Sequence, residues 1–389
     1  MVTEKAQHKV YRDLNLQIIF AITLMAVLGV SSISPAFTSV SQRFNISETS
    51  VGLLITVFTL PGVFLTPVFG VLADRWGRKK VLVPSLFLFA IAGGACAFAP
   101  NFNILLLFRF FQGIGAASLG SLNQTLIGDI YTGKERAAAM GYNASVLSIG
   151  TASYPVLGGA LAMFGWYYPF LLPLLAIPIA LIVIFKLNNP EPKNTQNLGK
   201  YLITAAKYIN NRKVYALFTA ATVTFIILYG AYITYFPFII ASFGGSPFIT
   251  GMVMFSMSIT TALTSSQLGN LIRRFSAPKL LKTAFLIYAV ALFMVPFAND
   301  ILFLLIPTFI FGIGHGINLP SNQTILASLA PMEYRAAFMS LNGMVLRLGQ
   351  TLGPLVMGLM FTLGGITSIF FAGCVLAIFV MFLLSRLLK

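Results

Sequence analysis

Long apolar runs and short polar breaks alternate along the whole chain, and the runs are nearly uniform in length. A helix crossing about 30 Å of hydrocarbon needs roughly 20 predominantly apolar residues. Runs of that kind lie near residues 14–40, 49–71, 80–99, 103–127, 138–163 and 167–186, then near 213–241, 248–270, 279–298, 302–326, 336–362 and 366–388. This pattern predicts twelve transmembrane helices, grouped six and six. Only the break at 187–212, with Asn188, Asn189, Pro190, Glu191, Pro192 and Lys193, is long enough to join two bundles. The expected organisation is a six-helix bundle over 1–186, a linker over 187–212 and a second six-helix bundle over 213–389. The first run follows Lys5, Lys9 and Arg12, exceeds a signal-peptide core in length and lacks a clean cleavage pattern, so it reads as a span.

Composition agrees with an all-α integral membrane protein. Of 389 residues, 58% are hydrophobic and 9% charged, whereas soluble domains carry about a quarter charged residues. A water-soluble enzyme is thereby disfavoured. The formal charge of +16 would suggest nucleic acid in a soluble protein. Here 22 of the 25 basic residues fall in breaks on one side of the predicted spans or at the termini, leaving Arg43 opposite and Arg109 and Arg347 inside spans. The positive-inside rule then places both termini and the linker in the cytoplasm, in a cell membrane, and no nucleic-acid partner is expected. Cys96 and Cys374 sit in apolar runs and read as free thiols; no ligand spacing suggests a metal, and no phosphate-cradling loop or other cofactor site is evident.

Sliding the sequence along itself by 199 residues reveals a parallel repeat. Gly113, Gly115, Asn123, Gln124, Thr125, Arg136, Asn143, Gly150, Pro155 and Gly159 fall on Gly312, Gly314, Asn322, Gln323, Thr324, Arg335, Asn342, Gly349, Pro354 and Gly358. Such repeats relate two pseudo-symmetric bundles by an axis along the membrane normal, with a cavity between them, an architecture suited to rocking transport.

Between predicted spans 2 and 3 stands Gly70-Val-Leu-Ala-Asp74-Arg75-Trp-Gly77-Arg78-Lys79-Lys80. Read locally, its glycines allow close approach and a tight turn. It resembles the loop signature of the major facilitator superfamily, and the length and twelve-span plan fit that fold over the whole chain. The resemblance implies that Asp74 sits against the start of span 11 near Arg335 and Ala336, that Arg78 pairs with Asp129, and that these groups form a conformational latch. Span 4 carries Arg109-Phe-Phe-Gln112-Gly113-Ile-Gly115, similar to a motif of the twelve-span drug:proton antiporters (multidrug efflux) of that superfamily. Gly150, Pro155, Gly158 and Gly159 in span 5, and Gly349, Gly353 and Pro354 in span 11, resemble the antiporter helix-packing signature, except that Tyr154 replaces a glycine.

No acidic residue falls at a span centre, although many exporters of this kind place one there. The ionisable groups inside spans are Arg109, His315 and Arg347. Arg109, near Gln112, is either a structural partner of backbone groups or a substrate- or proton-handling residue, because an intramembrane charge needs a cavity or a partner. His315 is either a packing residue or a titratable cavity group. Asn143 and Asn342 either face the cavity or bond neighbouring helices. Tyr229, Tyr232 and Tyr235, with Met252, Met254 and Met257, suit ordinary packing or an adaptable pocket.

The resulting expectation is a secondary transporter, not an enzyme, moving amphipathic neutral or anionic small molecules by alternating access. Proton-coupled efflux leads; an importer or uniporter of an organic anion, or a lipid or siderophore exporter, is the alternative. The expected partners are a small-molecule substrate, protons and membrane lipids, and the expected state is a monomer.

Overall fold

A computed structural model describes residues 10–189, 210–329 and 335–388, so most of the expected linker lies outside the described residues. Those described residues form helices and no strand. Ten helical stretches are long and apolar enough to cross a membrane up to residue 329: Leu14–Phe44, Glu48–Trp76, Arg78–Phe98, Phe102–Ile130, Gly133–Ala162, Tyr168–Lys186, Arg212–Ser242, Pro247–Ser266, Ala277–Phe297 and Ile301–Leu329. They are called spans 1 to 10. An eleventh stretch, Leu341–Leu387, runs through 47 residues, but its helix breaks at Gly364 and at Gly365, where φ is 71° and ψ is −166°. Only glycine adopts that conformation readily. The stretch is therefore two helices, spans 11 and 12, and the total among the described residues is the expected twelve.

Helix starts follow from local hydrogen-bond chemistry. The Asp13 carboxylate accepts from the Asn15 N–H, Asn101 from Ile104 and Ser246 from Ile249, each satisfying a donor that the first turn leaves free. Span 5 begins at Gly133, five residues before the apolar run suggests, because Lys134, Glu135 and Arg136 remain helical in the polar first turn. Gly77 turns the chain between spans 2 and 3 with φ of 102°.

The chain divides into two compact units, one of Met1–Ile33 with Val57–Gln196, the other of Ser34–Thr56 with Asn197–Lys389. In the first unit span 1 packs on spans 4 and 5, and span 3 packs on spans 4 and 6. Small residues set these distances. A Cβ at Gly158 would lie 1.7 Å from the Ser32 carbonyl oxygen, and one at Gly113 would lie 2.1 Å from that of Phe58.

In the second unit span 7 packs on span 11, and span 10 packs on spans 8 and 9. Side-chain bonds help hold its segment Ser34–Thr56: the Ser34 hydroxyl donates to the Ile233 carbonyl at 2.6 Å, and Thr56 to that of Thr351 at 3.1 Å. Residues Ile227–Tyr235 of span 7 form a π-helix, a widened turn often found at functional positions.

Candidate functional site

In the first unit the glycines of span 4 draw three helices around Arg109. Gly113 lies on the backbone of Phe58 in span 2, and Gly115 on that of Phe89 in span 3. Arg109 is fully buried. Its Nη1 donates to Gln112 Oε1 at 2.6 Å, and its Cζ lies 4.1 Å from the centroid of the Phe58 ring. The π face of an aromatic ring attracts a guanidinium, most strongly where water is excluded. Sequence reasoning missed Gly93, whose absent side chain makes room for Gln112, since a Cβ there would sit 2.6 Å from Gln112 Nε2.

A second polar group lies further along span 4 in the same unit. The Thr23 hydroxyl is 2.6 Å from Asn143 Oδ1 and accepts from Asn123 Nδ2 at 2.9 Å, so spans 1, 4 and 5 meet at one threonine. All three residues are buried. All three recur at the offset of 199, as Thr222, Asn322 and Asn342, although only the two asparagines were singled out from the sequence.

The second unit does not copy this arrangement. Asn322 Nδ2 donates to the Leu217 carbonyl at 3.1 Å, and the Thr224 hydroxyl is 3.2 Å from Asn318 Oδ1. Asn342 is also buried. His315 turns toward span 9, with Nδ1 2.7 Å from the Tyr288 hydroxyl. Tyr232 is fully buried; its hydroxyl donates to Thr308 at 2.8 Å and its ring stacks on Phe236 and Phe311 at 4.4 Å each.

Arg347 differs from these enclosed groups. Gly349 and Gly353 bring span 11 against span 7, where added Cβ atoms would lie 2.6 Å from the Thr222 oxygen and 2.8 Å from the Gly230 nitrogen. That approach places Gln350 Nε2 3.2 Å from the Tyr229 hydroxyl. Arg347 lies within electrostatic reach of the same tyrosine. Arg347, Tyr229 and Gln350 are each only half-buried, and among the described residues the guanidinium has no ion pair. The tyrosine belongs to the π-helix, which the Thr234 hydroxyl braces by donating to the Tyr229 carbonyl at 2.6 Å. A guanidinium, a phenol and an amide at one half-open place offer hydrogen bonds to an oxyanion and an aromatic face to an apolar group.

The sequence profile of the Major Facilitator Superfamily matches residues 19–244 and 217–389. The chain belongs to that superfamily. Like other members it is a multi-pass membrane protein and a transporter. Multidrug resistance protein 1 of Bacillus subtilis is 24% identical over 375 residues, covering 94% of this chain and 95% of that one. A Bacillibactin exporter of the same organism is 30% identical over 163 residues, and that alignment covers 40% of each chain. Among solved structures, a bacterial homolog of the human lysosomal transporter Spinster superposes with a TM-score of 0.81, 19% identity and coverage of 97% of this chain and 98% of that one. At that identity the likeness shows the fold.

The superfamily's loop signature has a definite geometry here. Arg78 is nearly enclosed, its Nε donates to Asp129 Oδ2 at 2.9 Å, and its Nη1 pairs with Asp74. Arg75 is exposed. A Cβ at Gly70 would meet nothing within 4 Å, so tight packing is not its role in this structure. The side chain of Arg335, expected near Asp74, lies outside the described residues. In the packing motif of span 5, Pro155, Gly158, Gly159 and Tyr154 are buried, and Gly150 lies against Leu24 of span 1. Pro354 of span 11 faces Gly52, where a Cβ would come within 2.9 Å of the proline ring.

Proposed function

We propose that the protein exports amphipathic small molecules, neutral or anionic, in exchange for protons, and that Arg347 with Tyr229 and Gln350 contacts the substrate. The observation that carries this reading is Arg347, a half-buried cation well inside span 11 with no carboxylate paired to it among the described residues. An uncompensated charge at that depth is costly, and an anionic or strongly hydrogen-bonding substrate offsets that cost while bound. Arg109 and Gln112, enclosed by Phe58 and Gly93, shape the packing of spans 2 to 4, while Asn143 and Tyr232 hold their helices in place. His315, bonded to Tyr288, is the titratable candidate for the coupling proton. The pairing of Arg78 with Asp74 and Asp129 acts as a latch favouring one state of the alternating-access cycle, with both termini in the cytoplasm. Relatives named for multidrug resistance support efflux.

A narrower reading, export of one dedicated product, is supported by Tyr154 in place of the signature glycine and by the relative named for bacillibactin export. The test is the purified protein in liposomes under an imposed pH gradient, offered cationic, neutral and anionic dyes. Transport of neutral and anionic dyes that stops when the gradient is collapsed is expected. Transport of cations alone would sink the proposed role of Arg347, and transport indifferent to the gradient would sink proton exchange.

A further inference from the structure

A shallow, largely open cleft of about 330 Å³ lies in the first unit between the start of span 3 and the end of span 6, lined by Lys79, Lys80, Val83, Pro84 and Ile184. We infer that this cleft is a binding site for one anionic phospholipid, its phosphate between the two lysines and its acyl chains along Val83, Pro84 and Ile184. The inference is independent of which substrate the protein carries and of the direction of transport.

Three observations point to this ligand. First, the lining is divided by chemistry as a lipid is. Two lysines stand in the first turn of span 3, and three apolar side chains complete the lining. Second, the cleft stands beside surface that lipid would cover: Ile182, Ile184 and Phe185 are 45%, 41% and 76% exposed on a helix long and apolar enough to span. Third, the charge is available. Lys79 Nζ donates to the Ile184 carbonyl at 3.3 Å, which holds it at the rim and leaves two of its three N–H bonds. Lys80 is exposed and has no carboxylate partner among the described residues. The neighbouring acids Asp74 and Asp129 are both engaged by Arg78. Basic clefts between helices at the membrane surface suit phospholipid head groups.

The second unit holds a partial counterpart. The offset of 199 puts Pro278 at the place of Lys79, Lys279 at that of Lys80, Lys282 at that of Val83 and Thr283 at that of Pro84, and Lys282 Nζ donates to the Leu388 carbonyl at 2.9 Å. Charge and a hydroxyl there replace the apolar wall of Val83 and Pro84, so the tighter lipid is expected at the cleft of the first unit.

The test is native mass spectrometry of the detergent-solubilised protein titrated with phosphatidylglycerol and with phosphatidylcholine of matched chains. One phosphatidylglycerol should be retained in preference. Each lysine removed should weaken that retention about fivefold, since a basic group near the surface contributes about that factor. The Lys79→Gln/Lys80→Gln variant should accordingly lose about 25-fold for phosphatidylglycerol and nothing for phosphatidylcholine. Arg273→Gln/Arg274→Gln, with the same loss of charge elsewhere, should leave phosphatidylglycerol retention unchanged. Unaltered retention in the lysine variant overturns the site, and equal loss in the arginine variant assigns it to diffuse attraction instead. Displacement of the lipid by millimolar inorganic phosphate or glycerophosphate would make the occupant a free phosphate and overturn the lipid. Should the double variant not fold, Lys80→Gln alone carries the test, and no loss in it is equally decisive against the site.

Discussion

Arg109 and Arg347 share a charge and a place inside a span but not an environment. Arg109 is closed in by Phe58 and Gln112, whereas Arg347 is half-open beside Tyr229. A charge-assisted hydrogen bond contributes about 1.5–3 kcal/mol, which corresponds to roughly 10- to 100-fold in affinity. Arg347→Ala is therefore expected to reduce uptake of anionic dyes into inverted proteoliposomes by at least about tenfold, with neutral dyes less affected and Arg347→Lys intermediate. Equal transport by Arg347→Ala and the parent would end the proposed contact. That Arg347 and Arg109 deserved notice was legible in the sequence, because charges are rare inside apolar runs. Their difference was not, since it depends on which helix each glycine draws near.

Among elements, the glycines of the packing motifs fall into two kinds. Gly158→Ala places a methyl group 1.7 Å from the Ser32 oxygen, so spans 1 and 5 must separate. Overpacking of this sort costs about 1–3 kcal/mol or more, and a clear fall in the detergent melting temperature is expected. Gly70→Ala meets open space and should melt close to the parent. If both melted alike, close approach would not be what the span 5 glycines provide.

A second element-scale contact ties the start of span 1 to the end of span 4. The Tyr131 hydroxyl donates to Asp13 Oδ2 at 2.6 Å while the other oxygen of that carboxylate caps span 1. Burial, then the Asp13 carboxylate, push the tyrosine up from its ordinary value near 10. With the folded value raised, the stabilisation is complete below about pH 10 and is lost as pH rises toward the folded value. Tyr131→Phe should be less stable than the parent by about 1–2 kcal/mol at neutral pH, and the gap should narrow above about pH 10. A gap independent of pH across that range would show that the hydroxyl is not coupled to folding. Span number and order were legible because a bilayer demands long apolar runs. The π-helix of span 7 was not, because a shift from one carbonyl partner to the next leaves no mark in composition. Thr234 is apparent as a brace only once the Tyr229 carbonyl is seen beneath it.

For the molecule as a whole, the repeat announced two related halves, and each unit does contain asparagines at the matching places. Their partners differ, with Thr23 joining Asn123 and Asn143 in one unit and backbone groups serving Asn322 in the other. The grouping of Ser34–Thr56 with the second unit was hidden from the sequence, since hydropathy marks where a span ends and not what it touches. The proposed orientation has a direct test. Green fluorescent protein fused after Lys389 should fluoresce and alkaline phosphatase at the same place should be inactive; the opposite pair of results would invert the topology.

The joint at Gly364 and Gly365 has a mechanical consequence. Two residues reach about 7 Å at full extension, little more than one helical turn. Spans 11 and 12 thus lack the slack to slide past each other by much more than a turn. The two spans can pivot at this diglycine corner, but a lengthwise shift of span 11 must carry the near end of span 12 with it, whereas a longer loop there would absorb it.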